Sequence, residues 1–276
     1  MTFNNCLLCG SSNVTESFDG LFKLLVCKNC ELQWVGDPEE HLGDRWFDNY
    51  YSRRKNDLAS QSNEKREQQY EIDSSFLKTY LRDGDNVLDV GCSYGKFLQS
   101  ISALRDNLTC TGIDIDESGI SEAKAKFGEL SSFKATSLLS IDEKNQFDLV
   151  TFRGTLQYHG ADLPANLSQL RQILKPGGKV VIFSLPSTDA FIYKLLGQKW
   201  ALFHPEMQLM FNERVIRFMA QKFGFCIEDL QYPYLEDAYA NPSEDYDNVR
   251  DIILGKSEKS NPFWGSIMRI VLSKTS

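Results

Sequence analysis

The most constraining stretch of the chain is Val87–Leu98, VLDVGCSYGKFL. Asn86–Val90 is a short apolar run with β-branched Val87 and Val90, the pattern of one buried parallel strand. It stops at Gly91, and a helical repeat of Phe97, Leu98, Ile101 and Leu104 begins just past Gly95. A strand, a glycine-bracketed turn and a helix form the crossover unit at which open α/β sheets hold nucleotides. Glycine there lets the backbone turn sharply and leaves no Cβ between main chain and ligand. A second buried strand, Leu108–Ile115, ends in Asp114, with Asp116 two positions on. An acid about 20 residues past the glycine loop is placed to accept both hydroxyls of a ribose. Asp116 is the alternative, and otherwise caps a helix predicted over Ser118–Phe127.

Four of the seven cysteines form two C-x2-C pairs, Cys6/Cys9 and Cys27/Cys30, with Gly10 directly after the first. This spacing brings four thiolates within reach of one tetrahedral Zn²⁺. Val14–Phe18 and Phe22–Val26 read as strands around Asp19-Gly20, a hairpin-turn pair, so residues 1–36 are expected to form a zinc ribbon. So small a module has too little core to offset its backbone entropy, whereas structural zinc contributes about 10–16 kcal/mol. With all four places taken by Cys the ion is expected to be structural, and the ribbon to keep a core separate from the rest of the chain. Cys92, Cys110 and Cys226 stand alone in apolar or glycine-loop contexts, where packing is the expected role.

Residues 37–84 read as a helical connector or lid. Asp37–Tyr51 is rich in aromatics (Trp46, Phe47, Tyr50, Tyr51), which form either a substrate wall or an anchor for the ribbon. Ser52–Gln69 is polar, a solvated helix or mobile segment, and Tyr70–Leu81 regains helical periodicity before Asp83-Gly84-Asp85. Residues 85–276 form the main domain. Ser132–Ala135 and Phe147–Phe152 are its third and fourth strands, the latter opening into Arg153–His159. Leu163–Leu174 is a helix with Pro164 in its first turn, and Lys175-Pro176-Gly177-Gly178 turns into a fifth strand, Lys179–Ser184. An insertion at about 186–211 holds a helix, Ser187–Gly197, and an aromatic loop, Trp200–Glu206. Asn212 caps a helix over Glu213–Phe223 that Gly224 ends; Phe225–Tyr234 and Ile267–Ser273 are the last strands. Between them Ala238–Ser260 is a polar, acidic excursion expected to be mobile, from which Asn261–Trp264 would return beside the cleft.

The segment Asp89-x-Gly91-x-Ser93-x-Gly95 resembles motif I, D/E-x-G-x-G-x-G, of the class I S-adenosylmethionine-dependent methyltransferases, with Ser for the middle Gly. Phe147-Asp148-Leu149-Val150 resembles that family's fourth strand, and the L-K-P-G-G turn at 174–178 its approach to the fifth. The resemblance covers Val87–Pro186. It implies an α/β fold with a Rossmann-like seven-stranded sheet closed by an antiparallel pair, here with a small N-terminal zinc ribbon. It also implies cofactor contacts at Asp89, Gly91, Cys92, Ser93, Gly95, Asp114, Ile115 and Arg153, with Asp114 on the ribose. The family usually carries an Asp after the third strand that reads adenine; Thr136 and Ser137 stand there, so that recognition passes to them or to backbone near Ser137–Leu138. Asp148 would cap or buttress its strand. Arg153 stands where methyl donor and acceptor should meet, and an Arg at a strand end can hold a phosphate or carboxylate, or form a surface salt bridge. His159 matches a His that orders the cleft. The insertion resembles the acceptor side of methyltransferases acting on sugars and other small metabolites. It carries His204, a general base or a hydrogen-bonded loop residue. The catalytic candidates are thus His204, His159 and Arg153; His41 lies in the connector.

The net charge of −8 and pI near 5.1 provide no electrostatic footprint for nucleic acid. No apolar run approaches the ~20 residues of a membrane span, and MTFNNC lacks a basic leader, so a cytoplasmic protein is expected. The resemblance implies methyl transfer from S-adenosylmethionine to a small-molecule acceptor, an anionic sugar nucleotide or a polysaccharide precursor. Two alternatives remain open: a ribosomal RNA methyltransferase with a zinc module, disfavoured by the acidic charge, and a non-catalytic cofactor-binding scaffold with the ribbon as adaptor. Oligomeric state is not legible in the sequence.

Overall fold

A computed structural model of the chain describes residues 5–17, 22–36, 64–200, 202–203, 206–256 and 265–275. Its strands are β1 Val14–Ser17, β2 Leu24–Cys27, β3 Gln33–Val35, β4 Asn86–Val90, β5 Thr109–Asp114, β6 Ser132–Ala135, β7 Phe147–Arg153, β8 Leu174–Pro186, β9 Leu209–Met210, β10 Phe225–Gln231 and β11 Ile267–Lys274. Its helices are α1 Glu64–Leu77, α2 Lys96–Ser102, α3 Glu117–Phe127, α4 Leu163–Ile173, α5 Phe191–Leu196, α6 Glu213–Phe223 and α7 Pro242–Ile253.

The main sheet has seven strands in the order β10-β11-β8-β7-β4-β5-β6. β8, β7, β4, β5 and β6 run parallel, and β11 is antiparallel to both of its neighbours, as the family resemblance implies. From β4 the chain moves outward one way through β5 to β6, then returns to β7 on the other side. The reversal places a switch point between β4 and β7, where open parallel sheets leave a crevice beyond their carboxyl ends. Strand alternation sends Leu88 and Val90 into the core on one face and Val87 into the core on the other. The caps are those the sequence predicts for α6: the Asn212 carboxamide oxygen accepts from the Val215 N–H at 2.8 Å, and Gly224 closes the helix at φ +72°.

Two expectations are corrected here. The excursion after β10 is no featureless segment, because it contains α7. Asn241 accepts the Glu244 N–H at 3.2 Å, Pro242 opens the helix, and Glu244 and Asp245 sit in its first turn. The fifth strand of the main sheet, β8, begins at Leu174 rather than Lys179: the K-P-G-G segment is absorbed through an irregular register against β7.

The larger correction concerns the ribbon. β1 and β2 pair antiparallel as expected, but two unexpected strands extend the sheet: β3 beside β2, and then β9, from the distant insertion, with Gln33 opposite Met210 and Trp34 opposite Leu209. Nor does the ribbon have a core of its own. Leu8, Leu25, Leu32 and Trp34 belong to the same buried cluster as Leu88, Phe152, Leu170 and Ile216. Its other face, with Phe22, Leu24 and Val35, packs against Ile192, Trp200, Phe203 and Met210 of the insertion. Gln198 acts as a surrogate strand residue, accepting the Phe22 N–H at 2.9 Å and donating to the Phe22 carbonyl at 2.7 Å.

Candidate active site and metal centre

The turn after β4 presents the glycine-bracketed loop at the switch point. Gly91 has φ +78°, and a Cβ there would lie 2.1 Å from Thr155 Cγ2, so no larger residue fits. Ser93, in the place of the motif's middle glycine, still adopts the left-handed conformation, at φ +50°. Its strain is offset by a charge-assisted bond, because its N–H donates to Asp114 Oδ2 at 2.8 Å. Asp114 Oδ1 accepts the Asp116 N–H at 3.0 Å, and Asp116 in turn caps α3 by accepting from Ser118 at 3.1 Å. Loop and acid therefore meet as the spacing predicts, with the carboxylate fixed at the end of β5.

The other loop residues divide between surface and interior. Ile115 is 49% exposed beside Asp114. Cys92 is buried; burial pushes its thiol up, with Asp89 and Asp114 adding, so its backbone is the part available to a ligand. Asp89 is only 2% exposed and accepts from Thr151 Oγ1 at 2.7 Å. Burial pushes its carboxyl up to about 7, against the Thr151 hydrogen bond and the nearby Arg153 charge. Thr136 is half-buried and its N–H donates to the Asp114 carbonyl at 2.9 Å, while the Ser137 and Ser140 hydroxyls lie 3.3 Å apart. Asp148 buttresses the strand base as expected, accepting from the Asn86 N–H at 2.8 Å and from Lys175 Nζ at 2.6 Å.

Arg153 ends β7, and its pairing is not a surface one. Its Nε donates to Asp73 Oδ2 at 2.8 Å, and the guanidinium lies 4.5 Å from the centre of the Tyr70 ring. His159 packs its ring against Phe152 at 5.6 Å between centres; burial lowers its pKa to about 4 and leaves a neutral but weakly basic imidazole at pH 7. Tyr50, Tyr51, His41, His204 and Trp264 lie outside the described residues. Asp73 and Thr151 escape the sequence reading. Asp73 sits in a helix of low apolar content, 80 residues from Arg153; Thr151 is one more residue of a buried strand.

At the ribbon, Cys6 and Cys30 sulfurs lie 3.5 Å apart, as do those of Cys9 and Cys27, and all four fall within 4.8 Å of one another. A tetrahedron with Zn–S bonds of ~2.3 Å has edges of about 3.8 Å, so the four thiols fit a zinc ion. The turns after each pair are matched: Gly10 at φ +76° donates to the Cys6 carbonyl, and Glu31 at φ +67° donates to that of Cys27, both at 2.9 Å. The Cys6–Cys30 contact lowers the Cys6 thiol and raises the Cys30 thiol, so the pair shares one proton.

A family profile described as "Methyltransferase domain" matches residues 62–230, from α1 through the glycine loop, Asp114 and Arg153 to β10. The chain belongs to this family. The methyltransferase domain is 28% identical over 123 residues to a ubiquinone biosynthesis O-methyltransferase of Bradyrhizobium sp. (strain ORS 278), covering 43% of this chain and 47% of that one. It is 30% identical over 112 residues to a demethylmenaquinone methyltransferase of Symbiobacterium thermophilum, covering 38% and 44%. The chain thus spans under half the length of these curated relatives. Among solved structures it resembles a geranyl diphosphate methyltransferase in complex with SAM (TM-score 0.56, 14% identity, 74% of this chain and 85% of that one). It resembles the [4+2]-cyclase SpnF to the same TM-score of 0.56, at 15% identity over 74% and 80%. At such identities the likeness shows the Rossmann-like methyltransferase fold alone. Among the described residues no helix is long and apolar enough to cross a membrane.

Proposed function

We propose that this methyltransferase domain transfers a methyl group from S-adenosylmethionine to a small-molecule acceptor, with a structural zinc ion in the ribbon. The observation that carries the reading is Asp114 locked to the glycine loop through the Ser93 N–H at 2.8 Å, which sets a carboxylate and a close-approach backbone side by side at the switch point. Asp114 takes the ribose hydroxyls. Gly91, Cys92, Ser93 and Gly95 offer backbone, Ile115 offers an apolar face, and Thr136 and Ser137 lie toward adenine. Buried Asp89 shapes the loop from beneath. Cys6, Cys9, Cys27 and Cys30 hold the zinc.

The bound cofactor supplies an electrophilic methyl and a thioether leaving group. The protein's task is to orient the acceptor and exclude water. An acceptor hydroxyl must give up its proton as the new bond to the methyl carbon forms and the sulfur–methyl bond breaks. His204 is the proposed base, since His159 is depressed by burial and faces Phe152. A sugar nucleotide or polysaccharide precursor is the proposed acceptor class; similarity to a ubiquinone biosynthesis O-methyltransferase and a demethylmenaquinone methyltransferase supports a small acceptor in general. SpnF, a cyclase on this fold, keeps a second reading in view, a cofactor-binding domain without methyl transfer. Incubation with methyl-labelled S-adenosylmethionine and a panel of nucleotide sugars and phenols, read by product mass, decides between them. Cofactor binding without transfer to any acceptor supports the second reading.

A further inference from the structure

α1 precedes the sheet and has little apolar character, yet it buries three polar residues, Gln69, Asp73 and Ser74, at its contact with the cleft. Asp73 is 4% exposed and uses both carboxylate oxygens: Oδ1 accepts from Gln69 Nε2 at 2.9 Å and Oδ2 from Arg153 Nε at 2.8 Å. Gln69 in turn accepts the Ala238 N–H at 2.8 Å, which ties α1 to the segment after β10. The Arg153 guanidinium lies 4.5 Å from the Tyr70 ring centre and 5.6 Å from that of Phe97, two rings whose centres are themselves 5.9 Å apart, so they pack together against one side of it. Asp237 and the buried Asp89 also lie near this group; the Asp237 carboxylate accepts the Tyr239 N–H at 2.7 Å, and Asp89 accepts from Thr151 Oγ1. Among the described residues the two terminal Nη groups of Arg153 make no hydrogen bond, although such a fork is built for a carboxylate.

The sheet order says which carboxylate can reach it. Phe152 is opposite Val90, so Arg153 stands beside Gly91 on the side away from Asp114. With the ribose on Asp114 and adenine toward β6, the rest of the cofactor must cross the β4 loop toward β7. Two strand spacings, about 10 Å, separate β5 from β7. The amino-acid end of the cofactor carries a carboxylate and arrives at the strand end that bears Arg153, whose Nη groups hold no hydrogen bond among the described residues.

We propose that Asp73 is a positioning residue that holds Arg153 by its Nε edge, so that the Nη edge takes the carboxylate of the cofactor's amino-acid end. The pairing makes the cofactor site depend on a helix outside the glycine-loop motif. It rests on the cofactor site proposed above, and the two readings fail separately.

The test compares S-adenosylmethionine with its decarboxylated form, which differs only in lacking the carboxylate. Titration calorimetry on the full chain without acceptor should show that the wild type prefers the carboxylated form about ten-fold or more. In Asp73→Asn one acceptor oxygen must serve two donors, and Arg153 loses its charged anchor. The preference should collapse to within about three-fold, through weaker binding of the carboxylated form, with the decarboxylated form unchanged. Arg153→Gln should do the same, and the double variant should be no worse than either single one, as expected of residues acting through one contact. A merely structural role for Asp73 would weaken both ligands together and leave their ratio intact, and that result overturns the proposal. A wild type that binds both forms equally also overturns it while sparing the cofactor site. A wild type that binds neither removes the cofactor site itself.

Discussion

Replacing Cys27 by Ser is the most informative single perturbation of this chain. Cys27 is fully buried with its sulfur 3.5 Å from that of Cys9, and a hydroxyl is a poor zinc ligand. Losing the ion removes about 10–16 kcal/mol of folding free energy from the ribbon, as much as the whole stability of a typical domain, about 5–15 kcal/mol. If the ribbon had its own core, the sheet would ignore the change. It does not: Leu8, Leu32 and Trp34 are at most 1% exposed within the cluster that also contains Leu88 and Phe152. Burial of three such side chains is worth about 5–9 kcal/mol, an upper figure because the disordered ribbon would keep some contacts. If only a third of that is lost, Tm should fall by roughly 3–12 °C at ~2–4 °C per kcal/mol. Hydrogen exchange should also quicken at Ile192–Trp200 and Leu209–Met210, because β9 loses its partner strand and Phe203 its stacking on Phe22. Metal analysis, calorimetry and exchange mass spectrometry read these in parallel. A Cys27→Ser protein that keeps one zinc per chain, or loses it yet melts like wild type with a protected insertion, refutes the shared-core argument.

The remaining predictions concern the site. Asp114→Ala removes the charged acceptor for the ribose and the partner of Ser93, and should weaken S-adenosylhomocysteine binding by about 1.5–3 kcal/mol in calorimetry; unchanged affinity means the ribose is held elsewhere. His204→Ala should slow single-turnover methylation of a hydroxyl acceptor about 10²–10⁴-fold, and a rate within about three-fold of wild type between roughly pH 6 and 8 removes His204 from the mechanism. Two buried groups should give opposite stability profiles in the ligand-free protein. Asp89, raised to about 7 in the fold, keeps its proton where the unfolded chain has lost it, so its contribution declines as pH rises from about 4 to 7. His159, lowered to about 4, contributes stability above about pH 6.5 that is lost as pH falls toward 4. Asp89→Asn retains an acceptor for Thr151 and should show stability rising with pH over that range, His159→Phe the reverse; matching slopes in urea titrations would contradict both assignments.

The parts of this fold that are legible in the chain are those that neighbouring residues decide among themselves. The glycine loop, the acid closing the second strand, the C-x2-C pairs and the Asn212 and Gly224 caps are all fixed by spacings of a few residues, or by one repeated unit of strand and helix. The helix α7 was equally local, written in Asn241-Pro242 and the acids after it, and a polar composition obscured it. The tertiary structure alone decided the rest. β9 is two residues long, too short to carry a period, and becomes a strand only because β3 offers a free edge to Leu209 and Met210. Asp73 lies on a helix whose pattern marks it as solvated. It is buried because Arg153, 80 residues on, emerges from β7 directly opposite. The ribbon and sheet share one core for the same reason: a small four-cysteine module leaves apolar surface on both faces. Which surfaces cover them depends on where the sheet order delivers the insertion, which no local spacing encodes.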